Sequence, residues 1–295
     1  MTERLRAVGS GEDMRERVAT LLEALPYIRE FAGQTIVIKY GGAAMTSPEL
    51  KASFARNVAL LRLVGMRPVI VHGGGPDISR YSDRLGLEVR FVHGLRVTDA
   101  PTMELVKMVL VGKINKEIVA LLGVAGVGAV GLSGDDGGLI AAEKAESPQD
   151  ADLGFVGHVA EIHPRVLEGL GDFVPVVASV GVDAEGQSYN INADTVAGAL
   201  AAALEARKVI FLTDVEGVLA DAGDPTSLIS ECQLADVERM IADGSAGSGM
   251  IPKLGAVAHA LRGGVAAAHV VDGRVAHSVL IELFTELGIG TKVVP

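Results

Sequence analysis

Short β-branched runs that end in glycine and alternate with helical periods most limit the folds open to this chain. The first run is Thr35-Ile36-Val37-Ile38-Lys39-Tyr40-Gly41-Gly42, a buried strand that its glycines force to stop. Pro48-Glu49-Leu50 then opens a helix over 48–65, with Phe54, Val58, Leu61 and Val64 on one side. A second strand, Pro68 to His72, closes on Gly73-Gly74-Gly75, and helix 76–86 follows. This βαβα alternation predicts parallel strands with right-handed crossovers.

The same grammar continues. Asp99 and Pro101 start a long helix over 99–123, and Val127 to Leu132 reads as a third buried strand. Residues 134–161 are polar and glycine-punctuated, which suits a hairpin region. Strands are expected over Val174 to Val180, 208–213, Ala267 to Val271 and Gly290 to Val294, and helices over 192–206, 234–243, 252–262 and 276–287. Segment 217–228 is rich in turns. Ahead of the first strand, Glu12 to Ala32 has Val18, Leu21, Leu22, Leu25 and Ile28 on one face, with Pro26 expected to kink it. The expected architecture is an α/β fold: a three-layer α/β/α sandwich with a mainly parallel central sheet and two lobes around a cleft. Residues 1–32 form an oligomerisation helix in this reading, 33–195 one lobe and 196–295 the other.

Hydrophobic residues make up 49% and aromatics only 4%, a composition suited to helices packed closely on a parallel sheet. The formal charge of −11 argues against nucleic acid or anionic membrane as partner, so a site for an anion must be made positive locally. Cys232 is the only cysteine, which leaves no intramolecular disulfide and no CxxC metal site. No apolar run is long enough for a membrane span, and residues 1–11 lack the apolar core of a signal peptide, so a cytoplasmic location is expected.

Two motifs are decoys. Gly126 to Gly131 matches GxGxxG, but it follows a helix and runs into a strand, the reverse of a dinucleotide fingerprint. His72-Gly-Gly-Gly75 resembles an esterase oxyanion loop, yet no GxSxG elbow accompanies it. His158 and His163 lack a third metal partner and read as loop and capping residues. The remaining residues form a constellation. Lys39 with Gly41 and Gly42, Gly73–Gly75, Asn190 and Asp194, Thr213 and Asp214, and Gly249 with Lys253 lie just beyond strands or at helix starts, the ligand edge of an open α/β sheet. A strand ending in glycines beside a lysine receives a phosphate well. Arg96, in Gly94-Leu-Arg-Val-Thr98, is the exception to that placement and suits a two-pronged grip on a carboxylate. Taken singly, each residue is equally compatible with an ordinary surface or capping role.

At these residues the chain resembles the amino-acid kinase family, in its branch that phosphorylates acetylglutamate in arginine biosynthesis. The likeness covers residues 35 to 295 and rests on Ile38-Lys-Tyr-Gly-Gly42, Val71-His-Gly-Gly-Gly-Pro76, Gly94-Leu-Arg-Val-Thr98, Asn190-Ile-Asn-Ala-Asp194, Leu212-Thr-Asp-Val-Glu-Gly217 and Gly249-Met-Ile-Pro-Lys253, in that order. The resemblance implies that Lys39 and Lys253 stabilise the transferring phosphoryl group, with Asp194 orienting both. Gly74, Gly75, Arg96 and Asn190 would hold N-acetyl-L-glutamate in the first lobe. Gly41, Gly42, Thr213, Asp214, Gly217, Gly249 and Met250, within a 245–250 loop, would contact ATP, whose phosphates carry Mg²⁺; no residue is assigned as a metal ligand. The helix at 12–32 resembles the one that interlaces dimers into hexamers in arginine-inhibited members. By the same likeness Lys208, His269, Glu282 and Gly288 would bind the inhibitor arginine. The acceptor carboxylate is ionised at neutral pH, its reference pKa being about 4.3, so the chemistry needs positioning and charge stabilisation rather than a general base. The nearest rival is an acetylaminoadipate kinase, whose extra methylene discriminates by only about 1–3 kcal/mol. Kinases of aspartate, glutamate, carbamate or uridylate fit the Arg96 and Asn190 motifs less well. A non-catalytic arginine sensor would have no use for two phosphoryl-facing lysines.

Overall fold

A computed structural model describes residues 11–92, 94–146, 152–221, 223–224, 226–247, 249–286 and 288–295. The expectations for residues 1–10, for part of the 134–161 hairpin and for single positions in the 245–250 loop and helix 276–287 therefore fall outside the described residues.

The elements follow the alternation read from the sequence. Helix α1 (Gly11–Phe31) runs through Pro26 and leads into β1 (Thr35–Tyr40), α2 (Pro48–Leu63), β2 (Arg67–His72) and α3 (Gly75–Leu85). A two-strand ribbon, β3 (Phe91–Val92) and β4 (Leu95–Arg96), precedes α4 (Ala100–Lys107). A π-helical segment (Met108–Ile114) joins α4 to α5 (Asn115–Val124) without a break. Then come β5 (Ala129–Leu132), β6 (Ile140–Lys144), β7 (Gly157–Ile162), the short α6 (Arg165–Glu168), β8 (Val174–Ala178), β9 (Val180–Val182) and β10 (Ser188–Asn190). The last third holds α7 (Ala193–Ala203), β11 (Lys208–Thr213), β12 (Glu231–Gln233), α8 (Leu234–Asp243), α9 (Ile251–Arg262), β13 (Ala267–Asp272), α10 (Ser278–Phe284) and β14 (Thr291–Val294).

Eight strands form the central sheet in the order β12-β14-β13-β11-β1-β2-β8-β5. Each neighbouring pair is parallel except β13 with β14. The strand period decides which layer each side chain enters. Ile36, Ile38 and Tyr40 of β1 join the core that contains Val58 and Leu61 of α2 and Leu122 of α5. Val37 joins the opposite core, with Val196 and Leu200 of α7 and Leu254 and Val257 of α9. Lys39 alternates with Ile38 and so shares the α7–α9 side. From β1 the chain crosses to β2 on one side, while β11 leads to β13 on the other. The carboxyl ends of β1 and β11 are therefore a topological switch point, where such sheets bind ligands.

Three expectations need correction. The single strand over Val174 to Val180 is split at Ser179, because the chain leaves the central sheet there for a second, four-stranded sheet of order β10-β9-β6-β7. The long helix expected at 99–123 is continuous but changes its winding, Met108–Ile114 being π-helical. His158 is not a loop residue: it lies on β7 with Nε2 3.4 Å from Glu143, while His163, just after β7, holds the Gly138 carbonyl at 3.0 Å.

Candidate active site

Three elements converge on one carboxylate. Asp194 stands in the first turn of α7, where the helix dipole favours an anion, and Asn192 caps that helix by accepting the Asp194 N–H at 2.8 Å. Asp194 Oδ1 lies 3.1 Å from Lys39 Nζ at the end of β1, and Oδ2 lies 3.0 Å from Lys253 Nζ in the first turn of α9. A lysine at a helix N-terminus opposes the dipole, and the Lys253 side chain is only 9% exposed. Burial lowers its pKa, and Asp194 partly offsets that. Burial would raise the pKa of Asp194, but the two ammonium groups prevail and hold it below the usual carboxylate range. The result is a fixed pair of cations braced by one anion, with one positive charge in excess.

A cavity opens on either side of this bridge. The first, about 420 Å³, is lined by Lys39, Gly41, Gly42, Thr213, Asp214, Gly217, Gly249, Met250 and Lys253, with Leu212, Val215, Val218, Leu219 and Ala246 supplying apolar wall. Gly217 packs so closely on Thr291 and Leu228 that a Cβ would come within 2.6 Å of Thr291 Oγ1. Gly42 turns with φ +55, which glycine adopts freely. The second cavity, about 310 Å³, is lined by Lys39, Gly41, Gly42, Gly73, Gly74, Gly75, Arg96, Asn190 and Asp194. Gly41 and Gly42, assigned by likeness to the nucleotide alone, thus border both.

Arg96, which the sequence left away from the sheet edge, is carried there by the β3–β4 ribbon. Its guanidinium lies over the Phe91 ring, 4.7 Å from the centroid, and Nη2 donates to Gly75 O at 3.0 Å and Ser79 Oγ at 2.7 Å. The remaining N–H groups of the fork have no partner among the described residues. Asn190 donates to Thr98 Oγ1 at 3.2 Å, and that hydroxyl donates to Arg96 O at 2.9 Å. Sequence reasoning did not single out Leu110, Ser179, Phe91 or Val156 for this cavity. Leu110 lay unmarked within the expected helix 99–123 and Val156 within the expected hairpin region, and Ser179 was read inside a strand.

Lys208, His269, Glu282 and Gly288 do not join this site. They line a third cavity of about 600 Å³, together with Tyr27 and Phe31 of α1. Glu282 is buried and accepts from His269 Nδ1 at 2.6 Å and from the N–H groups of Ile289 and Gly290 at 2.9 and 3.2 Å. Burial would push its pKa up, but these donors outweigh that and keep it low. Burial also lowers the pKa of His269, which leaves a neutral ring donating through Nδ1. Its Nε2 is a buried acceptor with no partner among the described residues.

A doubly wound sheet with two lysines braced at its switch point, between a glycine-floored cavity and an arginine-armed one, defines a small-molecule phosphotransferase. The chain belongs to the amino acid kinase family, whose signature matches residues 34–272. Among its curated relatives, the acetylglutamate kinase of Symbiobacterium thermophilum is 55% identical over 286 residues, which cover 95% of this chain and 98% of that one. The chloroplastic acetylglutamate kinase of Arabidopsis thaliana is 54% identical, covering 97% of this chain and 83% of that one. Among solved structures, N-acetylglutamate synthase from Neisseria gonorrhoeae, complexed with coenzyme A and N-acetyl-glutamate, superposes with a TM-score of 0.83 at 25% identity, covering 94% of this chain and 63% of that one. Carbamate kinase from Giardia lamblia bound to AMP-PNP shares the fold, with a TM-score of 0.64 at 17% identity, covering 90% of this chain and 99% of that one. Among the described residues no helix is long and apolar enough to cross a membrane.

Proposed function

We propose that the chain transfers the γ-phosphoryl group of ATP to the side-chain carboxylate of N-acetyl-L-glutamate, giving N-acetyl-L-glutamyl 5-phosphate and ADP in arginine biosynthesis. The observation that carries this reading is the Lys39–Asp194–Lys253 bridge at the junction of two cavities. The choice of acceptor is supported by the names of relatives more than half identical over nearly the whole chain.

In this reading the cavity with Thr213, Asp214, Gly217, Gly249 and Met250 holds ATP. The cavity with Gly74, Gly75, Arg96 and Asn190 holds the acceptor, Arg96 taking its α-carboxylate. A carboxylate oxygen attacks the γ-phosphorus as the bond to the β–γ bridging oxygen breaks, and the electron pair leaves with ADP. The obstacle is electrostatic, an anion approaching a polyanion. Lys39 and Lys253 offset the charge on the transferring group, and Asp194 holds their spacing rather than taking a proton. Mg²⁺ bound to the phosphates supplies further charge compensation. Glycine N–H groups and lysines suit phosphate oxygens better than a metal, and among the described residues no three His, Cys, Asp or Glu side chains converge as ligands.

The third cavity is the inhibitor site in this proposal. A buried Glu282 carboxylate with an adjacent free ring acceptor suits a guanidinium, and Lys208, 4.8 Å from the centroid of Phe31, suits a carboxylate. Helix α1 contributes Tyr27 and Phe31 to that cavity while Val18, Leu21, Leu22 and Leu25 stay exposed, which supports a homo-oligomer assembled through α1.

Purified protein incubated with ATP, Mg²⁺ and N-acetyl-L-glutamate should yield an acyl phosphate that hydroxylamine traps as a hydroxamate. Free glutamate or aspartate should give none. Absence of hydroxamate from folded protein that binds ATP would reassign the acceptor.

A further inference from the structure

The helical run from Ala100 to Val124 changes its winding midway, and the change falls beside the acceptor cavity. Seven residues, Met108 to Ile114, are π-wound. A π turn takes in more residues per turn than an α turn, so every side chain downstream is rotated relative to a continuous α-helix. With that register Leu110 and Ile114 seat directly on Gly74. A Cβ at Gly74 would fall on Ile114 Cδ1 and lie 2.7 Å from Leu110 Cδ2. Leu110 itself lines the cavity.

The residue that follows the π segment is Asn115, which is fully buried. Its Nδ2 lies 2.8 Å from Val176 O, 3.3 Å from Leu132 O and 3.1 Å from His72 Nε2. An amide nitrogen only donates, so His72 Nε2 must be the acceptor and the ring is neutral with its proton on Nδ1. That N–H meets Gly73 O at 3.0 Å. Burial agrees, pushing the His72 pKa down to about 4. In a trans peptide the N–H of one residue points opposite to the preceding carbonyl. Anchoring Gly73 O therefore aims the Gly74 N–H away from the His72 ring. The chain Asn115–His72–Gly73 links helix register to the direction of a backbone donor in the glycine loop.

We propose that His72, packed against Asn115, is a positioning residue for the phosphoryl acceptor, fixing through the Gly73–Gly74 peptide the donor that this loop presents in the Arg96 cavity. The inference rests on assigning that cavity to the acceptor. The wild-type hydroxamate assay tests that assignment separately, so a silent wild type and an insensitive variant are different results.

Steady-state kinetics of two His72 variants provide the test. In His72→Asn the amide nitrogen occupies roughly the place of Nδ1 and keeps the bond to Gly73 O; His72→Leu removes it. His72→Leu should raise the KM for N-acetyl-L-glutamate about tenfold, the size of one lost hydrogen bond, with the KM for ATP unchanged. His72→Asn should restore the acceptor KM to within about threefold of wild type. Equal losses for both substrates, or no rescue by asparagine, would mean that His72 only supports the core and would overturn the proposal. Should His72→Leu fail to fold, His72→Gln decides. Its longer amide cannot take the place of Nδ1, so the acceptor KM should rise as for His72→Leu; an acceptor KM equal to that of His72→Asn also overturns the proposal.

Discussion

At the scale of single residues, Asp194 shows how little the site asks of proton chemistry. Held below its usual pKa by two ammonium groups, it is ionised wherever the enzyme works and is a poor proton acceptor. Lys39→Ala or Lys253→Ala should each lower kcat by roughly 10²–10³-fold, the effect of losing one preorganised charge donor, with the protein still folded by circular dichroism. The pH profile should follow from the same charges. No acid limb near neutrality is expected, because the acceptor carboxylate is already ionised there. Burial lowers the pKa of Lys253; in the proposed mechanism it acts only when protonated, so kcat should fall as pH rises through that lowered value. An acid limb centred near pH 7 in kcat would instead indicate a general base.

Elements bring in what single residues cannot. Leu21 and Leu22 of α1 are exposed, whereas Tyr27 and Phe31 of the same helix wall the Glu282 cavity. Removing residues 1–30 should therefore both reduce the assembly to a smaller oligomer, read by light scattering, and abolish inhibition by arginine. Glu282→Ala should abolish inhibition alone, and a truncated protein that keeps its full assembly would refute the role of α1. Much of this level was legible in sequence, because β1, β2 and β11 announce themselves by β-branched runs that end at the edge lined by the two cavities. The π segment was not: Met108 to Ile114 has the same apolar, helix-forming character as its flanks. Its winding goes with contacts far away in sequence: Leu110 and Ile114 seat on Gly74, and Asn115 bonds to Leu132 O and Val176 O. Ser179 was equally hidden, since valines on both sides conceal the passage from one sheet to the other.

For the whole molecule, buried ionisable groups tie global stability to pH. His72 is held neutral, with a pKa near 4 in place of the ordinary 6.5. Its contribution is fully present above pH 6.5 and declines as pH falls toward 4, where the folded protein at last takes up the proton that the unfolded chain already holds. Between pH 7 and pH 5 this one group should cost about 2 kcal/mol of unfolding free energy. Denaturant titrations of wild type and His72→Asn at both pH values should show the loss reduced by about that amount in the variant; equal losses would disprove it. Such coupling is invisible in composition, because seven histidines look alike until the fold buries some and not others.

The four-stranded sheet has a consequence of its own. It supplies Asn190 to the Arg96 cavity from β10, yet Lys39 stands on a strand of the other sheet and Lys253 on a helix that packs against it. On the proposed assignment, mutation could therefore remodel this sheet's share of the acceptor cavity while leaving Lys39 and Lys253 in place. An architecture divided in this way can diversify its choice of substrate over evolutionary time without rebuilding its chemistry.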